Sequence, residues 1–372
     1  MNECQNEALA PCPFKGPIRR GPWAVSDLPD GRNRSTTPVK GCLDRPPAVK
    51  ALAACLLVLG LIWPLSAAAA AIRGNGLIVD QAGRTIQTDA PFRHIISLYG
   101  AHTENLCALG LSGRLIGVSP SETYPPRARE KPVFSYHDGP ERFLAADPDL
   151  ILLRPMIDRG YAKLVTRLES AGITVVSLQP RTVEEMITYW RILGRLTGRQ
   201  DEARSMVEAF RGGVDFARSL TSGLEDPEQV YFEAIHEQMK TFAQDSPAMF
   251  VLRTAGGKNV ATDATSVRGT NIAAYGKERI LAKAESIDVY LAQKGPMNQP
   301  TVEKIVNEPG FGLIKAVQEG RICIVDEQTV SRPTVRLLLG IHSVGGCLYP
   351  DIFDHEAADR FRSIVNRVYN PE

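Results

Sequence analysis

Glu141-Arg142-Phe143-Leu144-Ala145-Ala146-Asp147-Pro148-Asp149-Leu150-Ile151-Leu152 is the stretch from which the fold can be read. A glutamate opens a short helical pattern, and an aspartate a few residues later opens an apolar run of strand type. The same order returns at Glu278-Arg279-Ile280-Leu281-Ala282 and then Asp288-Val289-Tyr290-Leu291, with two more residues between glutamate and aspartate. A helix-then-strand unit repeated once in each half predicts two similar α/β lobes, each presenting an acidic residue at one helix start. One echo alone does not separate this reading from chance similarity, so the rest of the chain has to bear it out.

The 372 residues predict two domains, and 44% hydrophobic with 23% charged residues is ordinary for a globular chain that buries a real core. A formal charge of +1 and the lack of a basic, aromatic-interleaved stripe argue against nucleic acid as a partner. Near the front, Lys50 precedes the apolar run Ala51 to Leu65, then Ser66 and alanines to Ala71. That order reads as a signal peptide with a small-residue cleavage site, with an uncleaved anchor as the alternative. Export out of the cytoplasm follows. Leu52-Ala53-Ala54-Cys55 has the composition of a lipobox but sits at the start of the apolar run, and Arg19-Arg20 lies too far upstream for a twin-arginine signal. Residues 1–71 are therefore an extension plus signal peptide; Met1 to Ala48 is a disordered extension or a mis-assigned start. Removal of the leader takes Cys4, Cys12, Cys42 and Cys55 with it and leaves Cys107, Cys323 and Cys347. No C-x-x-C pair suggests a zinc site; a Cys323–Cys347 bridge is conceivable, but buried free thiols are the expected state.

Gly76 to Thr88 reads as a small hairpin. His94–Leu98, Arg114–Val118, Leu150–Leu153 and Ile173–Leu178 read as strands, interleaved with helical patterns at Thr103–Leu109 and Tyr161–Ala171 that stop at Gly110 and Gly172. Strands alternating with helices predict a mainly parallel sheet whose strand C-termini carry the site. Thr182 to Leu220 is long, helical in pattern and nearly free of strand formers, so one or two helices form a stiff connector. The strand pattern resumes at Tyr231–Ile235, and the second half ends with a strand at Arg321–Val325 and a helix near Val335–Leu348. The expected divisions are an N-terminal lobe over 72–180, a connecting helix over 181–222 and a C-terminal lobe over 223–372.

The order of several short motifs resembles the periplasmic substrate-binding proteins of ABC importers for cobalamin, ferric siderophores and haem. Ile96-Ser97-Leu98, Thr103-Glu104 and Ala108-Leu109-Gly110-Leu111 are similar to that family's first strand and helix. Arg114 to Val118, Tyr124-Pro125-Pro126, Asp147-Pro148-Asp149-Leu150-Ile151, Ala255-Gly256-Gly257-Lys258-Asn259, Pro309-Gly310-Phe311, Ala316 to Arg321 and Tyr349-Pro350 continue the series. The resemblance covers nearly the whole mature chain; no single motif is specific, but their order is. It implies a class III periplasmic binding protein: two α/β lobes, mainly parallel sheets and a long helical connector. It also implies a monomer with no cofactor of its own, whose ligand is an iron or cobalt chelate and whose partner is an ABC permease reached through both lobes. By position, Glu141 and Glu278 match the surface glutamates that such proteins offer to permease arginines. A solvated first-turn glutamate is the plainer reading of each.

The ligand is expected between the lobes, on loops at strand ends. Candidate contacts are Tyr99, His102, the segment from Ser119 to Tyr124, Tyr136, His137, Arg154 and Met156 in the first lobe. In the second they are His236, Met239, Arg268, Lys294, Met297 and Arg332. Aromatic rings can stack on a macrocycle, and arginines can meet carboxylate or catecholate groups bidentately. His102 opens a predicted helix and serves equally as a cap; His342 lies on an apolar pattern and reads as core. Tyr99, directly after the first strand, is the strongest single candidate. No metal-ligand cluster, P-loop, G-x-S-x-G or H-E-x-x-H stands in the chain, so no enzymatic activity is expected. The alternatives are a receptor for a free metal ion or oxyanion, or an exported α/β enzyme.

Overall fold

Alternation along the central strands decides the layering. Leu150 and Leu152 enter one apolar cluster, whereas Ile151 and Leu153, between and after them, enter another. A strand apolar on both faces must be covered on both, which a parallel sheet flanked by helices achieves. The computed structural model describes residues 69–370. The signal-peptide reading, the lipobox at Cys55, Arg19-Arg20 and the four leader cysteines fall outside them.

The first lobe holds a four-stranded, all-parallel sheet built from β1 (Ile95–Ser97), β2 (Leu115–Val118), β3 (Leu150–Leu153) and β4 (Thr174–Ser177), ordered β2-β1-β3-β4. Between its strands lie α1 (Gly100–Ala108), α2 (Pro140–Ala145) and α3 (Ala162–Ser170). The expected hairpin is present as Ile78–Val79 paired with Thr85–Ile86, with Ala71–Ile72 as a third antiparallel strand.

Two helices, α4 (Val183–Thr197) and α5 (Gln200–Thr221), then form the connector. Thr182 starts α4 by accepting the Glu185 N–H at 3.2 Å, and the Glu185 carboxylate reaches back to the Arg181 N–H at 2.8 Å.

The second lobe centres on β5 (Gln229–Ile235), flanked in parallel by β8 (Val289–Lys294), which in turn pairs with β9 (Ile322–Asp326). Its other edge is antiparallel, through β6 (Lys240–Phe242), β7 (Ile272–Ala274) and Thr265–Ser266. The sheet is therefore parallel at its centre and mixed at one edge. The helix α6 (Lys277–Leu281) precedes β8, as α2 precedes β3. The echo extends to the aspartates. Asp149 accepts the N–H groups of Arg93 and His94 at 2.7 and 2.9 Å, just before β1, and Asp288 accepts that of Gln229 at 2.9 Å, where β5 begins.

One apolar cluster runs from the first sheet through the connector into the second, joining Leu152, Trp190, Phe210, Phe232, Leu338 and Phe361. The far faces of the two sheets have separate cores, around Phe143 and Ile151 in one lobe and around Tyr231, Tyr290 and Phe311 in the other.

The C-terminal region departs from expectation in two ways. After α7 (Leu337–Leu348), a further helix, α8 (His355–Tyr369), places Phe361 5.2 Å from Phe216 of α5 and sends the Tyr369 hydroxyl to Glu104 of α1 at 2.7 Å. The end of the chain thus packs back on the first lobe. Cys323 of β9 and Cys347 of α7 form a disulfide, with Cα atoms 6.2 Å apart, which corrects the free-thiol reading. Cys107 is a buried free thiol.

The halves also meet through polar groups. The fully buried Glu104 carboxylate accepts from Arg336 Nε at 2.7 Å and Nη2 at 2.8 Å, a bidentate pair between α1 and the segment before α7. Asn105 donates to the Pro333 carbonyl at 3.0 Å. Removing one member of such a pair strands a buried charge. Glu104→Ala is expected to lose about 3–5 kcal/mol of stability, read as a lowered urea midpoint; a midpoint unchanged from wild type would contradict the pair's role.

Candidate functional site

The parallel strands of both lobes end facing one another, and their following loops supply the polar groups. Tyr99 follows β1, Glu122 follows β2 and Arg154 follows β3; Glu327 follows β9, and Arg332 lies shortly beyond it. The Arg154 guanidinium stacks 4.7 Å from the centre of the Tyr99 ring. Arg332 packs against Gly100, immediately after Tyr99. Thr123 donates across to Gln328 at 2.8 Å, which places the two lobes' loops in contact at this cleft.

Tyr99, Arg154 and Arg332 were three of the sequence candidates, and the fold brings them together. Tyr124 stands at their margin: Arg336 lies 4.1 Å above its ring, and Tyr369 meets it edge-on at 5.1 Å.

Other candidates lie elsewhere. His102 is fully buried behind Tyr99, with Nδ1 2.7 Å from the Tyr189 hydroxyl and Nε2 3.2 Å from the Leu153 carbonyl. One turn of helix carries it from the cleft into the core, where it is a packed histidine with both ring nitrogens partnered. His236 is buried in the second lobe, 2.7 Å from Glu233 and 3.4 Å from Glu308. Glu233 is itself held by the Tyr290 hydroxyl at 2.5 Å and the Asn298 amide at 3.0 Å, so this histidine belongs to an internal network. Met239 packs partly buried against the outer core of the same lobe.

Tyr136 and His137 form a separate patch with Tyr161, whose hydroxyl lies 3.0 Å from His137 Nδ1. Lys294, Met156, Met297 and Arg268 are exposed. Glu141 and Glu278 sit in the first turns of α2 and α6, both exposed; the Glu141 side chain, 75% accessible, has only Arg167 at 3.6 Å. Among the described residues, no group of three or more His, Cys, Asp or Glu side chains is arranged to hold a metal ion.

Sequence reasoning missed Glu104, Glu327 and Arg336, whereas Glu122 lies in the segment from Ser119 to Tyr124 that it singled out. Glu104 had a signal: it is a charged residue in a helix whose nine residues are all buried. Arg336 had one too, standing directly before the apolar run Leu337-Leu338-Leu339. Neither was weighed as a cleft residue, because nothing local pairs them.

Burial sets the electrostatics. It pushes the Tyr99 phenol up, against the opposing pull of Arg154 and Arg332. It also raises the Glu122 carboxyl, which the Ser119 hydroxyl at 2.7 Å and Arg332 partly offset, and raises Glu327, which Arg332 pulls back. His102 is lowered to about 3 by burial, against the smaller effect of the Leu153 carbonyl.

Residues 95–329 match the periplasmic binding protein family. The chain belongs to that family. Among relatives of this binding protein is an uncharacterized ABC transporter substrate-binding lipoprotein of Bacillus subtilis, 25% identical over 282 residues, covering 74% of this chain and 86% of the relative. A vitamin B12-binding protein of Vibrio vulnificus is 26% identical over 261 residues, covering 68% of this chain and 89% of its own. A solved periplasmic solute-binding protein of Staphylococcus epidermidis, described as a possible iron-binding protein, superposes with a TM-score of 0.62 at 26% identity, over 70% of this chain and all of that one. The class III architecture expected from sequence, two α/β lobes on a helical connector, is that of the binding protein. No described helix is long and apolar enough to cross a membrane.

The His102 environment yields a pH dependence. Its folded value of about 3 lies below the ordinary 6.5, so between these values the unfolded chain binds more protons and stability falls as pH falls. Urea midpoints should drop more steeply from pH 7 to 4.5 in the wild type than in His102→Gln, the gap reaching about 2–3 kcal/mol. Parallel pH profiles for the two proteins would refute the assignment.

Proposed function

We propose that this chain is an extracytoplasmic solute-binding protein that captures a metal chelate between its lobes and delivers it to an inner-membrane ABC importer. The leading cargo is a ferric siderophore, with cobalamin or haem next. The observation that carries this reading is the convergence of Tyr99, Arg154 and Arg332, from both lobes, on one cleft of a periplasmic binding protein. An aromatic face with two guanidiniums suits a flat or multidentate chelate bearing polar rims. A vitamin B12-binding relative and a possible iron-binding structural relative add support. The protein acts as a monomer, without turnover, after export by its signal peptide.

The direct test is native mass spectrometry and an absorption spectrum of periplasmically expressed protein. Retention of a chelate, with a charge-transfer, corrin or Soret band naming its class, is the expected result. Protein that retains none and binds none of ferric siderophore, cyanocobalamin or haemin on titration would overturn the reading.

The paired acids supply the partner contact. Glu141 and Glu278 are exposed at equivalent helix starts, one per lobe, and face arginines of the permease in the docked complex. Two carboxylates held apart by a rigid body set orientation and encounter rate more than affinity, since each exposed ion pair is worth only about 0–1 kcal/mol. The double variant Glu141→Ala with Glu278→Ala is expected to abolish uptake by cells while leaving cargo affinity unchanged. A loss of cargo binding, or full uptake, would remove these residues from the docking role.

A further inference from the structure

Helix α1 starts at the cleft without a side-chain cap: Tyr99 occupies the cap position in extended backbone, its carbonyl accepting the His102 and Thr103 N–H groups at 2.9 and 3.2 Å while its side chain caps none of the first turn. The first N–H groups of a helix have no partner within it and carry the positive end of its dipole. A cation is unfavourable at such a place. Arg332 is nonetheless there, 9% exposed, with Nη1 only 2.7 Å from where a Cβ on Gly100 would stand. Glycine at position 100 is what admits the guanidinium this close.

The ion pair that Arg332 makes with Glu104 is long and leaves a donor unsatisfied. Its Nη1 is buried without a hydrogen-bond partner, and the carboxylate oxygen beside it, Glu104 Oε2, is 3.9 Å away. That carboxylate is engaged by Arg336 on both oxygens and by Tyr369 on one. Arg154, over the Tyr99 ring, likewise has a buried Nε with no partner. Two guanidiniums from opposite lobes and an uncapped helix start therefore converge with unused donors. Buried donors left unmade carry a desolvation penalty that one suitably placed acceptor removes.

We propose that the start of helix α1, closed by Arg332 and flanked by Arg154, is an anion site, and that the cargo presents a carboxylate or phosphate oxygen to it. This rests on the reading of the cleft as the cargo site and narrows it to chelates with an anionic oxygen group. An anion here is shared by the two lobes, since Arg332 comes from the second and α1 from the first. Glu122 and Glu327 border the site. Burial favours their protonated forms, which lessens their opposition to an incoming anion.

The test uses the full mature chain and inorganic phosphate, in a buffer free of other oxyanions. Thermal unfolding of the wild type should shift upward with phosphate concentration, by mass action on the folded state. Arg332→Gln should weaken phosphate by roughly 10–100-fold, the effect of losing a charge-assisted contact, and Arg332→Lys should weaken it less. If Arg332→Gln does not fold, Arg154→Gln, at a partly exposed side chain, is read in its place with the same direction of effect. No phosphate response in the wild type, or equal responses in wild type and variant, overturns the site.

Ferric citrate and cyanocobalamin then separate the two sources of anionic oxygen, carboxylate and phosphodiester. Whichever binds should lose affinity in Arg332→Gln by the same factor. A chelate bound equally by both proteins leaves the chelate receptor standing and removes the anion site. Arg332-dependent phosphate binding with no chelate bound does the reverse.

Discussion

The apolar core that passes from one sheet through α4 and α5 into the other is the constraint on which the rest of the molecule depends. Trp190 and Phe210 meet edge-on, 5.4 Å between ring centres, inside the connector, and the same cluster reaches Leu152 on one side and Phe232 on the other. Because a close-packed interior has few alternative arrangements, lobes that share one core hold a set mutual geometry. The strand ends of both sheets then face each other across a cleft with little freedom to diverge. A connector of two extended strands would bury far less and fix far less.

That geometry explains why charged groups are buried at the cleft. Glu104, Arg336 and Tyr369 come from α1, the segment before α7 and the last helix, and they satisfy one another where the lobes abut. Such a pair is weak evidence for net stability, since desolvation offsets its Coulomb energy; what costs is the loss of one partner, which strands the other as a buried charge. With Glu104 occupied, Arg332 is left beside the start of α1 with a free donor, and the cleft acquires its polarity from what the lobe contact did not consume.

Much of the fold was legible because it is written at short range. Leu150 to Leu153 and Val289 to Leu291 are apolar at every position, which only a strand covered on both faces explains. The helical spacing from Thr182 onward marked the connector, and Glu141 and Glu278 fell at helix starts as their spacing indicated. The last helix, which Asp354 caps by accepting the Ala357 N–H at 3.0 Å, was missed, since the expected elements ended with the helix near Val335–Leu348. The Cys323–Cys347 bridge was not legible, since a bridge depends on where a strand and a helix cross.

The sequence by itself determined the two α/β halves, the helical connector and the acids at the two helix starts, each through the period of side chains along one element. Only the tertiary structure decided which loop residues share the cleft. Tyr99 faces it and His102, three residues on, does not, because the helix turns that side chain into the core. Arg336 finds Glu104 across 232 positions of chain. Arg332 finds Gly100 in the same way: such contacts are set by how two sheets pack on a common core, and no local pattern records them.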